Sequence, residues 1–185
     1  VNTGTVVGGI GSLIAFGSGN QWQYTAVPGA AGLVLAWNGT TWVPSAPVVC
    51  QIFVGSAQSI PANTTTLVTF NSINIDTNGA FNASTYTFTA PFNGNYRISV
   101  YSTYSCAAGV TAQLQLQRNG GVQAEGPTAT AMVETLSGQT FVCPTLNRIL
   151  SCAAGDTVQL FARGSGAIAQ VVDGGREALE IALIR

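Results

Sequence analysis

Alternation of apolar and polar positions, the signature of strands, runs through most of this chain. Tyr86-Thr87-Phe88-Thr89 alternates, which puts Phe88 on one face of a strand. Pro91 stops that strand, and Asn93-Gly94-Asn95 is turn chemistry. Tyr96-Arg97-Ile98-Ser99-Val100 then alternates again, so the pattern predicts a hairpin with a largely aromatic buried face. Further strands are expected at 50–54 (CQIFV), 66–70 (TLVTF) and 112–117 (AQLQLQ). The last of these is closed by the hairpin turn Arg118-Asn119-Gly120-Gly121. Residues 140–142 and 148–152 flank Pro144, 157–162 (TVQLFA) alternates, and 178–184 (ALEIALI) ends the chain. That final segment is also helical by propensity, but no segment has a sustained helical period. Short strands between Gly-rich turns read as an all-β fold.

Nearer the start, residues 12–22 align with 32–42 at a period of twenty, matching Leu13 with Leu33, Ile14 with Val34, Gly19 with Gly39 and Trp22 with Trp42. Each unit reads as a short strand, a turn at Gly and a second short strand carrying Trp. A two-stranded unit cannot bury a Trp by itself, so Trp22, Trp37 and Trp42 are expected to pack against the same unit of neighbouring chains. Ser45-Ala46-Pro47 reads as a linker, dividing the chain into an N-terminal arm, 1–47, and a head, 48–185. The apolar run 6–16 (VVGGIGSLIAF) has no basic flank, holds three glycines and is about half the ~20 residues of a spanning helix, so it is not read as a membrane segment. Val1 suggests a processed or trimmed start.

Charge changes the picture. Charged residues make up only 7% of the chain, Lys and His are absent, and no charge precedes Asp76. A surface so poor in charge favours burial between copies of the same chain. The net charge of −1 offers no handle for nucleic acid or an anionic membrane.

Phe70, Asp76, Phe81, Phe88, Gly94 and Tyr96 fall at the spacings of the C1q globular-head signature, and this stretch resembles that family, which shares its fold with tumour necrosis factor. Ile98 and Val100 stand where the pattern has aromatics, and both keep an apolar β-former facing inward. The phrase at 153–160, Ala-Ala-Gly-Asp-Thr-Val-Gln-Leu, is similar to another strand of the family, and the resemblance covers about residues 48–185. It implies a C1q/TNF-like jelly-roll sandwich, a homotrimer, and a last strand central to its sheet. Residues 32–44 (GLVLAWNGTTWVP) resemble units of bacteriophage fibre and head-fibre proteins, which implies an extended, β-rich trimeric stalk ahead of a terminal head.

Catalysis has little footing. Without His there is no nucleophile–His pair, and no Gly-x-Ser-x-Gly elbow occurs. The carboxylates Asp76, Glu125, Glu134, Asp156, Asp173, Glu177 and Glu180 are the acid–base candidates, and most are expected to be solvated or paired with the six arginines. No cofactor and no metal site is expected, since the four cysteines (Cys50, Cys106, Cys143, Cys152) lack zinc spacing. They read either as small buried fillers or as one or two disulfides. Asn38, Asn63 and Asn82 open Asn-x-Ser/Thr triplets, which matter only on a eukaryotic secretory route.

The expectation is therefore a non-enzymatic virion structural protein: a trimeric phage fibre or spike, at the virion surface, with a host-facing head. Residues 1–47 would contact other virion proteins of capsid or tail, and head loops 118–126 and 164–176 a host-surface glycan or protein. No nucleic acid partner and no membrane insertion is expected. The alternatives are a capsid-decorating head-fibre or cement protein without receptor binding, and a secreted or cell-surface C1q-like carbohydrate- or protein-binding module.

Overall fold

The computed structural model describes residues 13–17, 21–25, 34–37, 42–45, 47–122, 133–134, 141–172 and 177–184. The described elements are strands, and all their pairings are antiparallel. Among the described residues no helix is long and apolar enough to cross a membrane.

One sheet has five strands in the order Thr145–Cys152, Gly94–Tyr101, Ala178–Ile184, Val49–Phe53, Ser72–Asp76. The last strand of the chain is thus central, hydrogen-bonded to Gly94–Tyr101 on one side and Val49–Phe53 on the other. Its helical propensity is overridden by two neighbouring strands and by Leu179 and Ile181, which are buried. A second sheet is built on Gly121–Val122, Thr111–Arg118, Thr157–Gly164, Thr87–Thr89 and Phe81–Asn82, with Val133–Glu134 and Thr66–Leu67 attached. A third joins Phe141–Val142, Tyr104–Cys106, Ile168–Gln170 and Ser59–Ile60.

The core lies between the two larger sheets. Tyr96, Ile98 and Val100 point inward from one, and Phe88, Leu114, Leu116, Val158 and Leu160 from the other. Each such side chain, fully removed from water, contributes about 1.5–3 kcal/mol.

The expected hairpin joining Phe88 to Tyr96 does not form. Thr87–Thr89 pairs with Phe81–Asn82 and Thr157–Gly164, whereas Gly94–Tyr101 pairs with Thr145–Cys152 and Ala178–Ile184. Residues 90–93 carry the chain from one sheet to the other. Both strands bury one apolar face, and opposing the two faces across the sandwich satisfies both at once. A hairpin would have set them side by side.

Two smaller expectations also change. The strand expected at 66–70 is only Thr66–Leu67, although Val68 and Phe70 are buried. The supposed head loop 164–176 contains the strand Ile168–Gln170, with Ile168 and Gln170 buried. The turn after Thr111–Arg118 falls where the sequence puts it: Asn119 and Gly120 have φ of 51° and 74°, the paired left-handed conformations of a tight two-residue hairpin.

In the N-terminal arm two hairpins are described, Leu13–Gly17 with Gln21–Thr25 and Val34–Trp37 with Trp42–Ser45. Their backbone registers set Phe16 opposite Trp22 and Trp37 opposite Trp42. A strict twenty-residue repeat would set Ala36 opposite Trp42, so the second unit is shifted by one residue. The packing expected of the Trp22, Trp37 and Trp42 side chains lies outside the described residues.

Candidate functional site: the outward face of the five-stranded sheet

The six signature residues build the sandwich. Phe70, Phe81, Phe88 and Tyr96 are buried in the core, while Asp76 and Gly94 are half-buried at its margin. Asp76 closes its turn by accepting the backbone N–H of Ala80 on Oδ1 and of Phe81 on Oδ2, each at 2.9 Å. Gly94 lies under Leu183: a Cβ there would sit 2.5 Å from Leu183 Cδ1, so a side chain would push Leu183 aside. Tyr96 donates its hydroxyl to the Phe92 carbonyl at 2.7 Å and accepts the Phe92 N–H at 3.3 Å. Burial pushes that hydroxyl up to about 12. These are structural roles.

The carboxylates do not converge. Asp156 tethers a turn, accepting Asn119 Nδ2 at 2.7 Å and the Ala153 N–H at 2.9 Å. The Asn119 hydrogen bond, then the Ala153 one, hold Asp156 below the usual carboxylate range. Glu177, expected to be solvated or Arg-paired like most of the carboxylates, is 2% exposed at the mouth of the last strand. Glu180 lies on the outer face of the five-stranded sheet. Glu125 and Asp173 lie outside the described residues, as does the Glu134 side chain. Among the described residues no three His, Cys, Asp or Glu side chains are grouped to hold a metal.

All four cysteines are free thiols. Cys50 and Cys152 are buried, with burial raising their thiols to about 12 and about 11. Cys106 is partly buried against the core, and Cys143 is exposed with its Sγ 3.6 Å from Thr103 Oγ1.

The surface that stands out was not singled out in the sequence. On the five-stranded sheet, residues out of phase with the core present a broad outward face. Register sets Val49, Ala182, Arg97 and Ile149 in one row across four strands. Ile75, Gln51, Glu180, Ser99 and Asn147 form the next. Val49, Ile75, Tyr101, Ile149 and Ile184 are exposed here, Ile149 by 62%. Between the rows is a shallow concavity of about 160 Å³, lined by Val49, Gln51, Ile75, Arg97, Ser99 and Glu180, among others. Asn74 Nδ2 donates to Gln51 Oε1 at 2.6 Å, and Gln51 Nε2 donates to Glu180 Oε1 at 2.7 Å, so a polar relay aims the carboxylate. A run of apolar side chains flanking a few fixed polar groups suits contact with another protein surface better than catalysis. The signal was present in the alternation Asn95, Arg97, Ser99, Tyr101, but which strands lie beside it is set by long-range pairing.

No family model matches the chain, and no curated protein matches it in sequence. Solved structures do match in fold. The globular domain of zebrafish complement 1qA aligns with a TM-score of 0.52 at 17% identity, over 75% of this chain and 98% of that one. The TNF Eiger from S. frugiperda gives 0.54 at 10% identity, over 75% and 94%. Murine APRIL gives 0.56 at 10% identity, over 75% and 99%. The antiparallel sandwich is therefore a jelly roll of the C1q/TNF-like fold, and none of the three similar proteins is named as an enzyme. At such identities the likeness is one of fold.

Proposed function

We propose that this chain is a non-enzymatic structural protein of a virion: a homotrimeric fibre or spike whose jelly-roll head faces the host surface and whose N-terminal arm docks on the particle. The observation that carries the assembly is the outward face of the five-stranded sheet, with Val49, Ile75, Tyr101, Ile149 and Ile184 exposed on a chain with few charges to keep monomers apart. Covering that face with copies of itself removes the apolar area from water. Three copies rather than two follow the resemblance to C1q and TNF heads.

The particle-bound role draws on the arm. Residues 1–47 carry no formal charge and include the Trp-bearing units similar to phage fibre repeats. Two hairpins with Trp in their strands give the arm backbone edges for docking on capsid or tail proteins. Docking of that kind is nearly indifferent to salt. The polar hairpin turn at Asn119 and Gly120 suits adaptable contact with a glycan or protein of the host surface.

The fold likeness to complement 1qA favours a second reading, a secreted C1q-like binding module. Labelling the chain on purified particles for electron microscopy separates the readings. Label on a tail or a projecting fibre supports the proposal. Label spread over the capsid, with heads that never contact cells, makes it a decorating protein. A chain found in the medium and absent from particles contradicts the virion reading.

A further inference from the structure

On the described strands of the five-stranded sheet, the outward face carries two charged residues, Arg97 and Glu180. They are opposite in sign and sit diagonally on adjacent strands, since Arg97 faces Ala182 and Ser99 faces Glu180 in register. Both line the same concavity, yet Arg97 makes no hydrogen bond or ion pair among the described residues. Glu180 takes the Gln51 amide on Oε1, and its other oxygen has no protein partner among the described residues. The relay from Asn74 through Gln51 fixes the carboxylate from the side of the sheet away from Arg97.

Covering this face strips water from both groups. A guanidinium or carboxylate buried without a partner costs several kcal/mol, so a covered face must pair each of them. A closed head-to-tail ring repeats one contact between unlike patches at every interface. Arg97 and Glu180 share one concavity, so they meet their counterparts where that concavity lies near the three-fold axis; there one unpaired cation and one under-used anion per copy, with no net charge between them, can each be paired by the next copy.

We propose that the occupant of this face is a second copy of the chain, and that Arg97 of each copy pairs with Glu180 of the next around the ring, fixing the register of assembly. The inference rests on the homotrimer reading above and deepens it by naming a contact completed only between copies.

The test is complementation of the full chain by mixing, read by sedimentation velocity. Arg97→Glu sets carboxylate against carboxylate at every interface, and Glu180→Arg sets guanidinium against guanidinium. Each variant alone should raise the concentration at which trimers dissociate by about tenfold or more, with circular dichroism unchanged because Arg97 is exposed and Glu180 only half-buried. Refolded together, the two variants form mixed trimers in which two of the three contacts join unlike chains and are attractive, one contact between like chains being unavoidable in a ring of three, so part of the lost affinity should return. An ion pair within one chain gives no such rescue, so folded variants that stay apart on mixing overturn the proposal. Variants that trimerise as well as the parent also overturn it while leaving the homotrimer standing. A monomeric parent removes the homotrimer reading itself. Should a charge reversal fail to fold, Arg97→Gln and Glu180→Gln replace it: each should weaken the trimer, and the double variant no more than the weaker single. Additive losses would show that the two side chains do not meet.

Discussion

The rings of Phe88 and Tyr96 meet edge to face across the sandwich, with centroids 5.6 Å apart and planes inclined at 66°. Each comes from a different sheet, and the contact pins the two sheets at the point where the chain crosses between them. Phe88→Ala should lower unfolding free energy by about 3–5 kcal/mol, the range for emptying an aromatic site in a packed core. Tyr96→Phe should cost about 1–3 kcal/mol by stranding the Phe92 carbonyl and N–H, which the Tyr96 hydroxyl satisfies. Urea unfolding of each variant checks both numbers.

The same tyrosine makes a prediction at high pH. Burial raises Tyr96, and Tyr104 likewise, to about 12 from an ordinary value near 10. Below pH 10 neither state has lost the proton, so the full stability is present. Between about 10 and 12 the unfolded chain ionises while the folded one resists, and stability falls. Ultraviolet titration should show these two tyrosines ionising late, and Tyr96→Phe should flatten the alkaline loss of stability. A first-phase titration of all five tyrosines near pH 10 would contradict the burial argument.

Asp156 acts at the opposite end of the scale. Its folded pKa is depressed, chiefly by the Asn119 hydrogen bond, so its contribution is present above the unfolded value of about 3.8 and is lost as pH falls through the folded one. Asp156→Asn should melt below the parent at pH 6, and the gap should narrow as pH falls below about 3.8. A gap that stays constant over that range would mean the charge is immaterial.

The thiols should react in an order set by exposure. Cys143 is exposed and should be alkylated in the folded protein at pH 8, while Cys50 and Cys152, buried and raised to about 12 and 11, should wait for unfolding. Mass spectrometry of a labelling time course settles the order.

How far the residues disclose this fold depends on the range of the interaction concerned. The Asn119–Gly120 turn is readable because its left-handed backbone is a local demand met by local residues. The inward facing of Phe88 and Tyr96 is readable for the same reason, from alternation within each strand. Their pairing is not: Asn93-Gly94-Asn95 signals a change of direction, and a hairpin and a crossover between sheets begin alike. Ile168–Gln170 escaped notice because three residues among Gly, Ser and Ala carry too short an alternation. The outward face was hidden further still. Arg97, Glu180 and Ile149 are scattered over more than eighty residues of sequence, and only the registers of three strands bring them together.

The central claim is that copies of this chain bury that face against one another. Sedimentation equilibrium of the full chain at micromolar concentration, alongside Ile149→Arg, tests it most directly. Ile149 is exposed and makes little contact with its own core, so the variant should keep its fold and lose its partners. The parent should sediment at three times the chain mass of 19.0 kDa, and Ile149→Arg at that mass once. A parent that stays monomeric, or a variant that stays trimeric, contradicts the account.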